Sequence, residues 1–166
     1  MMTLNLSIAT PEIVLLAMTV VTLLVDIFVP QKQRLLTFSF ALISIIAAAV
    51  CTLFLFNEPK ALAFNGMYVH SHMTSLLNLF IYIISFFAFI YSRRYITDRD
   101  IHQGEYYILA LFSILGMLVL VSANSLLTLY IGLEVMSLPL YAMVAMQRNV
   151  KRSSEAAMKY FVMGAM

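Results

Sequence analysis

The chain has 166 residues, of which 63% are hydrophobic and only 11% are charged, and its mean hydropathy is +0.94. A soluble domain of this length needs more polar surface, so the composition excludes a soluble globular protein. We attribute the small net charge of +2 to membrane topology and not to the binding of nucleic acid.

Long apolar runs predict membrane-spanning helices, because about 20 apolar residues cross roughly 30 Å of hydrocarbon. In chain order the runs are 13–28, in which Asp26 is the one charge, then 35–56, 73–92 and 106–147. The fourth run is too long for one crossing, since it would extend about 60 Å at 1.5 Å per residue. We therefore divide it at residues 122–124, with Asn124 or Ser125 capping the second helix.

A sixth helix is predicted to begin after the polar segment 147–155, with Ser153 as its N-cap. We therefore expect an all-α polytopic membrane protein with five complete transmembrane helices and the start of a sixth. A helix that stopped within hydrocarbon would leave its last carbonyls without partners. For that reason we interpret the chain as the N-terminal part of a longer protein or as a truncated product.

The basic residues predict the orientation of the chain. The loops after the first, third and fifth spans hold eight of them, whereas the opposite side holds only Lys60. The positive-inside rule therefore predicts that the N-terminus lies outside and these loops face the cytoplasm. The eight residues are Lys32, Arg34, Arg93, Arg94, Arg99, Arg148, Lys151 and Arg152.

The sequence offers little for metal or redox chemistry. The single cysteine, Cys51, excludes a cysteine-ligated cluster made by this chain alone. His70 and His72 are expected in a solvated loop before the third span, and His102 in the loop before the fourth. Because no third ligand lies nearby, we predict no metal site, no cofactor and no redox centre in this chain.

Two acidic residues near the ends of the first span have simple explanations. Asp26 is expected to reach the interface or to pair with Lys32 or Arg34. Glu12 is expected at the edge of the membrane, where it suits a helix N-terminus with Pro11 at the first helical position.

Glu134 needs a different explanation, since it is the only charged residue between Glu105 and Arg148. Counted from Ser125, it lies about 13 Å into its helix, too deep for so short a side chain to reach water. An ionisable group at this depth normally faces a bundle interior or a wet cavity. Burial favours its neutral form and a nearby cation its charged form, so its protonation can follow a partner's charge. We predict a proton-handling group; the alternative is a structural acid that pairs with a basic residue.

Three further residues support a polar site around Glu134. Pro139 removes one backbone donor and frees the carbonyl of Val135. Ser137 follows Glu134 at i+3 and Tyr141 at i+7, on the same helix face. A carboxylate, a hydroxyl, a free carbonyl and a phenol would together suffice to hold water.

Lys159 is the second candidate, about 9 Å into the sixth helix when counted from Ser153. It could extend back to the surface or pair with Glu155 at i−4. Alternatively it belongs with Glu134, because the two residues come from adjacent antiparallel helices at hydrocarbon depth.

The segments SANSLLTLYIGLEVMSLPLYAMVA and RSSEAAMKYFVMGA closely resemble the fifth and sixth helices of subunit N of respiratory complex I. That subunit belongs to the antiporter-like, proton-pumping membrane subunits. The resemblance is specific over 106–166, whereas 1–105 agree only in helix count and hydropathy. It divides the chain into an N-terminal part, 1–105, and the start of the proton-translocation domain, 106–166.

The resemblance implies a membrane-arm subunit that couples electron transfer from NADH to quinone to proton translocation. Glu134 and Lys159 would form an intramembrane relay, with Ser137, Pro139 and Tyr141 in support. NADH, FMN, Fe–S clusters and quinone would be bound by other subunits. The partners would be other membrane-arm subunits and the lipid bilayer, in a bacterial inner membrane or, alternatively, a mitochondrial one. The family's seventh-helix lysine and second half-channel have no counterpart in this sequence.

Two other functions fit the same residues. The chain could belong to a related cation/proton antiporter or a membrane-bound hydrogenase, or it could be a truncated membrane fragment with no transport role. Complex I genes beside this one would favour the first function, and an antiporter cluster would favour the second.

Overall fold

The computed structural model describes residues 6–28, 35–98, 103–146 and 151–165, and its helices follow the predicted spans. Within these residues, five helices are long and apolar enough to cross a membrane, and a shorter sixth follows. The prediction of an all-α polytopic membrane protein is confirmed. The helices are α1 Thr10–Phe28, α2 Leu35–Leu55, α3 His72–Asp98, α4 Gln103–Val121, α5 Leu126–Val144 and α6 Lys151–Ala165.

The two predicted helix caps have different outcomes. Ser125 caps α5, since its side chain accepts a hydrogen bond of 3.1 Å from the backbone N–H of Thr128. The prediction that Ser153 caps α6 is wrong, because the helix already begins at Lys151. Lysine and arginine are good helix formers, so the polar segment itself continues the helix. Ser153 Oγ instead donates to the carbonyl of Val144 at 2.6 Å and ties α6 to the end of α5.

Helix α4 forms the centre of the bundle. It packs against α1, α2, α3 and α5. Its buried residues include Leu111 and Leu118, which are fully inaccessible, and they meet Leu15 of α1 and Ile45 of α2 in one hydrophobic core. Buried hydroxyls such as that of Thr19 donate to the carbonyl four residues earlier, so their burial in the core costs little free energy.

A short hairpin, which the sequence did not predict, joins α2 to α3. Strand β1, Ala61–Ala63, pairs antiparallel with β2, Tyr68–His70, in the register Ala63↔Tyr68. Asn65 and Gly66 in the turn have φ values of 56° and 82°, a left-handed conformation that asparagine and glycine tolerate. The connection therefore crosses the end of the bundle as ordered structure.

The hairpin packs against the turn between α4 and α5. The N–H of Val69 donates to the carbonyl of Ser122 at 2.9 Å, and the N–H of Asn124 donates to the carbonyl of Met67 at 2.9 Å. The Asn124 amide also donates to the carbonyl of Gly66 at 2.6 Å. We call the end of the bundle that holds the start of α1, the hairpin 61–70 and the turn 122–125 the hairpin end.

The histidines lie partly where the sequence predicted. His70 is buried, with 6% of its surface exposed, so the expectation of a solvated side chain is wrong. Its Nε2 lies 3.1 Å from the carbonyl oxygen of Leu55, a contact that the pairing of β2 with β1 makes possible. His72 is exposed at the first position of α3, and His102 lies outside the described residues.

Asp26 lies at the opposite end of the bundle from the hairpin. Its Oδ1 accepts a hydrogen bond of 2.7 Å from the Thr37 hydroxyl, and its carboxylate lies against Gly104 at the start of α4. A carboxylate at a helix N-terminus is electrostatically favourable. The predicted partners, Lys32 and Arg34, lie outside the described residues.

Candidate functional site

Helix α5 presents Glu134 near its middle, half-buried in the described chain. The phenol of Tyr130, one turn earlier, lies near the Glu134 carboxylate and interacts with it electrostatically. Residues four apart share a helix face, so the spacing of these two residues could have predicted this contact. The carboxylate is therefore neither sealed within the core nor free of polar partners.

Two glycines hold the Glu134 segment of α5 tightly against α4. A methyl group built on Gly116 would overlap the backbone of Met136. A methyl group built on Gly132 would lie 2.9 Å from the backbone nitrogen of Leu120, closer than side chains tolerate. Small residues let transmembrane helices approach closely, so this contact fixes the position of Glu134 relative to α4. Sequence reasoning missed both glycines; each was visible as a single glycine within a helical run.

Ser137 and Pro139 lie where the sequence predicted, within α5. Ser137 is buried, with 7% exposed, and its hydroxyl lies 3.5 Å from the carbonyl oxygen of Glu134, at the limit of a hydrogen bond. Pro139 lies inside the helix, which continues to Val144. Both residues therefore lie within one and a half turns of Glu134 on the same continuous helix.

Tyr141 connects α5 to α6. Its ring centroid lies 5.0 Å from that of Tyr160 at an interplanar angle of 87°, and 5.6 Å from that of Phe161 at 89°. The phenol also lies against Gly164. These edge-to-face contacts hold α6 beside the C-terminal half of the Glu134 helix.

Lys159 lies on the exposed face of α6. Among the described residues its ammonium pairs with Glu155, one turn earlier, at 2.6 Å, and not with Glu134. Both side chains are largely exposed, Lys159 at 69% and Glu155 at 66%. The structure thus forms the local pair that the sequence offered as one alternative, and it leaves both charges on the surface of the described bundle.

A second acidic site, which sequence reasoning missed, lies at the hairpin end. Glu12, in the first turn of α1, is only 7% exposed. The hydroxyl of Tyr68 donates to its Oε1 at 2.7 Å, and that of Ser122 lies within 3.4 Å of the same oxygen. Burial, and then the neighbouring Glu12 carboxyl, raise the pKa of Tyr68, so this phenol remains a donor. No local pattern could reveal these partners, because they lie 56 and 110 residues away along the chain.

A metal centre has no support in the part of the chain that the structure describes. Within it, no group of three or more histidine, cysteine, aspartate or glutamate side chains could hold a metal ion. Cys51, in α2, is half-buried and carries a free thiol.

The sequence has many curated relatives. The family described as NADH:quinone oxidoreductase/Mrp antiporter, transmembrane, matches residues 123–166. NADH-quinone oxidoreductase subunit N of Thioalkalivibrio sulfidiphilus is 46% identical over 93% of this chain and 32% of its own length. Subunit N of Nitrosomonas europaea is 46% identical over 95% of this chain and 33% of its own length. The chain therefore spans about one third of the length of the relatives that it matches.

A solved structure agrees with these relatives. A chain of respiratory complex I from Thermus thermophilus, solved with bound aureothin, superimposes with a TM-score of 0.72 at 25% sequence identity. The match covers 93% of this chain and 33% of that chain. The chain is thus a multi-pass membrane protein that belongs, over the N-terminal part it spans, to the family of NADH-quinone oxidoreductase subunit N.

Proposed function

We propose that this chain is part of a membrane-arm subunit of an NADH:quinone oxidoreductase and that it translocates protons through an intramembrane relay. In this relay Glu134 takes up and releases a proton, and Lys159 is the next group. The observation that carries the proposal is the environment of Glu134: one carboxylate in the middle of a membrane-spanning helix, half-buried, with a phenol beside it.

The close packing of α4 on α5 supports a functional role for Glu134. Gly116 and Gly132 bring the two backbones together at this level of the bundle, so the carboxylate has a fixed position. A charged group at this depth is costly unless it meets other polar groups or water. Its neighbour on the same helix face, Tyr130, is an uncharged phenol, so no cation of this segment is paired with the Glu134 carboxylate.

The exposed pair of Lys159 and Glu155 supports further protein cover over α6. An ion pair on a helix face that meets hydrocarbon is expensive, so such residues normally face a bundle interior or a wet cavity. We propose that additional polypeptide, from the same or a neighbouring membrane-arm subunit, covers this face. Lys159 could then exchange its Glu155 partner for a group of the relay.

The relatives and the membrane helices support the wider setting. We place the chain in the bacterial inner membrane, with the N-terminus outside because of the distribution of its basic residues. Residues 106–166, which include the family match at 123–166, would be the start of the proton-translocation part. NADH, FMN, Fe–S clusters and quinone would be held by other subunits. This chain's residues would contribute proton binding and transfer only.

A cation/proton antiporter subunit is the second candidate. It is favoured by the description of the family that matches 123–166, which includes the Mrp antiporters. Antiport would couple Glu134 to the movement of another cation, so proton flux in membrane vesicles would depend on the cation supplied. Flux driven by NADH oxidation, without such dependence, would favour the oxidoreductase.

Replacement of Glu134 tests the proposal. In the full-length complex, Glu134→Gln should lower NADH-driven proton pumping at least about tenfold, because amide groups do not titrate and a positioned proton-transfer group contributes that much or more. Glu134→Asp keeps the charge and shortens the reach, so its effect should be smaller. Pumping is measured in vesicles and normalised to the amount of assembled complex.

Glu58→Gln is the matched control, because Glu58 is exposed in the connection after α2. This variant should assemble and pump like the unchanged protein. If Glu134→Gln assembles and pumps at the control rate, Glu134 is a structural acid and the relay begins elsewhere.

A further inference from the structure

The environment of the Glu12 carboxyl group is more enclosed than the role of a helix-capping acid requires. Its Oε1 is near two hydroxyl donors, Tyr68 at 2.7 Å and Ser122 at 3.4 Å. Its Oε2 is fully buried and has no hydrogen-bond partner in the described chain. One half of the carboxyl group is therefore satisfied by the protein, and the other half is not.

The side chain of Glu12 borders a groove of about 320 Å³ at the hairpin end. The groove runs between α1 and α5, with α4 along its floor and the hairpin beside it. Most of its lining is apolar, for example Leu16, Phe64 and Val119, and Thr128 of α5 is its other polar residue besides Tyr68 and Glu12. The carboxyl group of Glu12 is thus buried beside a groove that opens at the surface of the described bundle.

No cation of the described residues offsets a charge on Glu12. Its polar neighbours are Tyr68 and Ser122, both uncharged hydroxyls. Among the titratable groups of the other helices, Tyr82 of α3 interacts with Glu12. Tyr82 interacts in turn with Cys51 of α2. The turn after α4 supplies the hydroxyl of Ser122, and α5 supplies that of Thr128.

An isolated carboxylate that is buried without a cation is strongly unfavourable, and such a group normally takes up a proton instead. The geometry accommodates that proton: Tyr68 and Ser122 occupy Oε1 as donors, so Oε2 is the oxygen left to carry it. A neutral carboxylic acid has one acceptor oxygen and one O–H donor. The two halves of the group match these two roles.

We propose that Glu12 is a proton-binding site of the folded protein, with its proton on Oε2 and in exchange with the membrane face at the hairpin end through the groove. Uptake transfers one proton from water to Oε2 and leaves Tyr68 and Ser122 protonated. This site is separate from Glu134: Thr128 borders the groove, and Glu134 lies six residues, or about 9 Å, farther along α5. It does not depend on the proposed function.

Infrared spectroscopy of the full-length protein in its membrane complex tests this proposal. A protonated buried carboxyl gives a carbonyl stretch that carboxylates lack. At neutral pH we expect such a band in the unchanged protein and its loss in Glu12→Gln, whereas Glu58→Gln keeps it. In D₂O the same band should shift, because the proton exchanges.

Tyr68→Phe provides a second test that leaves the acid in place. Removal of the phenol takes away the shorter hydrogen bond to Oε1, so the carbonyl band should move to higher frequency while remaining present. This variant also decides the matter if Glu12→Gln does not assemble.

Three results would overturn the proposal. A band that persists in an assembled Glu12→Gln variant belongs to another residue, and Glu12 is then ionised. A band lost in Glu12→Gln but unmoved in D₂O belongs to a sealed acid without exchange. If the Tyr68→Phe spectrum equals that of the unchanged protein, the proton does not lie where the geometry indicates.

Discussion

Glu12 and Glu134 lie in helices that both pack against α4, yet their environments differ. Glu12 is 7% exposed and has two hydroxyl donors on one oxygen, whereas Glu134 is half-buried beside a single phenol. A closed surrounding without cations favours one protonation state, while a more open one lets the charge follow a partner. Glu12 lies at one end of the bundle and Glu134 near the middle of its helix, so the neighbours of a carboxyl group, and not its depth alone, determine how enclosed it is.

The first prediction concerns which membrane face each group can reach, and its outcome is all or nothing. In a variant with Cys51→Ala, Asn65→Cys in the exposed hairpin turn should react with an impermeant thiol reagent in intact cells. Thr97→Cys, near the other end of α3, should react only after the membrane is opened, because the basic residues predict a cytoplasmic loop there. The reverse pattern would invert the topology and assign Glu12 to the cytoplasmic face.

The second prediction concerns the contact that positions Glu134. Gly116→Leu should destabilise the folded protein by about 3 kcal/mol or more, since the new side chain meets the backbone of Met136, which cannot move without displacing α5. The expected result is a loss of folded protein in detergent, measured by thermal unfolding and by yield.

Ala88→Leu is the control for this prediction, because Ala88 is exposed on α3 and a larger side chain there meets no other part of the described chain. Its yield should match that of the unchanged protein. Equal stability of Gly116→Leu and the control would mean that α5 is not held by this contact, and the fixed position of Glu134 would lose its support.

The sequence predicted the five spans because each is a long uncharged or nearly uncharged run, a property that lipid enforces along the whole segment. It also offered Ser125 as one of two candidate caps, beside Asn124, since capping depends on residues three positions apart. It did not predict the hairpin, whose three-residue strands depend on contacts with the distant turn at Ser122 and Asn124.

The candidate site was predicted in the same uneven way. Glu134 was evident because a lone charge in an apolar run is visible in the sequence itself. The burial of Glu12 was not evident in the sequence. An acid at the start of a helix has an ordinary explanation, and the partners of Glu12, Tyr68 and Ser122, are remote along the chain. The contact of Gly116 with Met136 depends on how two helices cross, which periodicity does not determine.

The third prediction separates proton transfer at Lys159 from a fixed charge. A relay lysine must release its proton, and arginine cannot, so Lys159→Arg should lower pumping about tenfold while assembly is retained. Stability should change by less than about 1 kcal/mol, because the pair with Glu155 is exposed. Pumping is compared between Lys159→Arg and Lys159→Ala, each normalised to assembled complex.

The outcomes for Lys159 are distinct. Normal pumping in the arginine variant, with loss in the alanine variant, would indicate that a fixed positive charge is sufficient. Normal pumping in both would make Lys159 an interfacial residue, and the relay would then pass from Glu134 to a group outside α6.

The smallest effect is expected in alkaline solution and concerns the donor to Glu12. Burial raises the pKa of Tyr68 in the folded protein, whereas the unfolded chain releases this proton near the ordinary value of about 10. Above that pH the folded state binds more protons than the unfolded state, so the free energy of unfolding falls as pH rises. The contribution of one such group approaches about 1.4 kcal/mol per pH unit.

Tyr68→Phe should therefore make the alkaline decline in stability less steep. Loss of the hydrogen bond to Glu12 will also lower stability by about 1 kcal/mol at every pH. The comparison therefore uses the slope of stability against pH and not the difference in stability at one pH. The measurement is thermal unfolding between about pH 9 and pH 11, with Tyr91→Phe as the control, since Tyr91 is 79% exposed. If the slope for Tyr68→Phe equals that of the control, Tyr68 ionises in the folded protein, and the enclosed surrounding inferred for Glu12 is open to water.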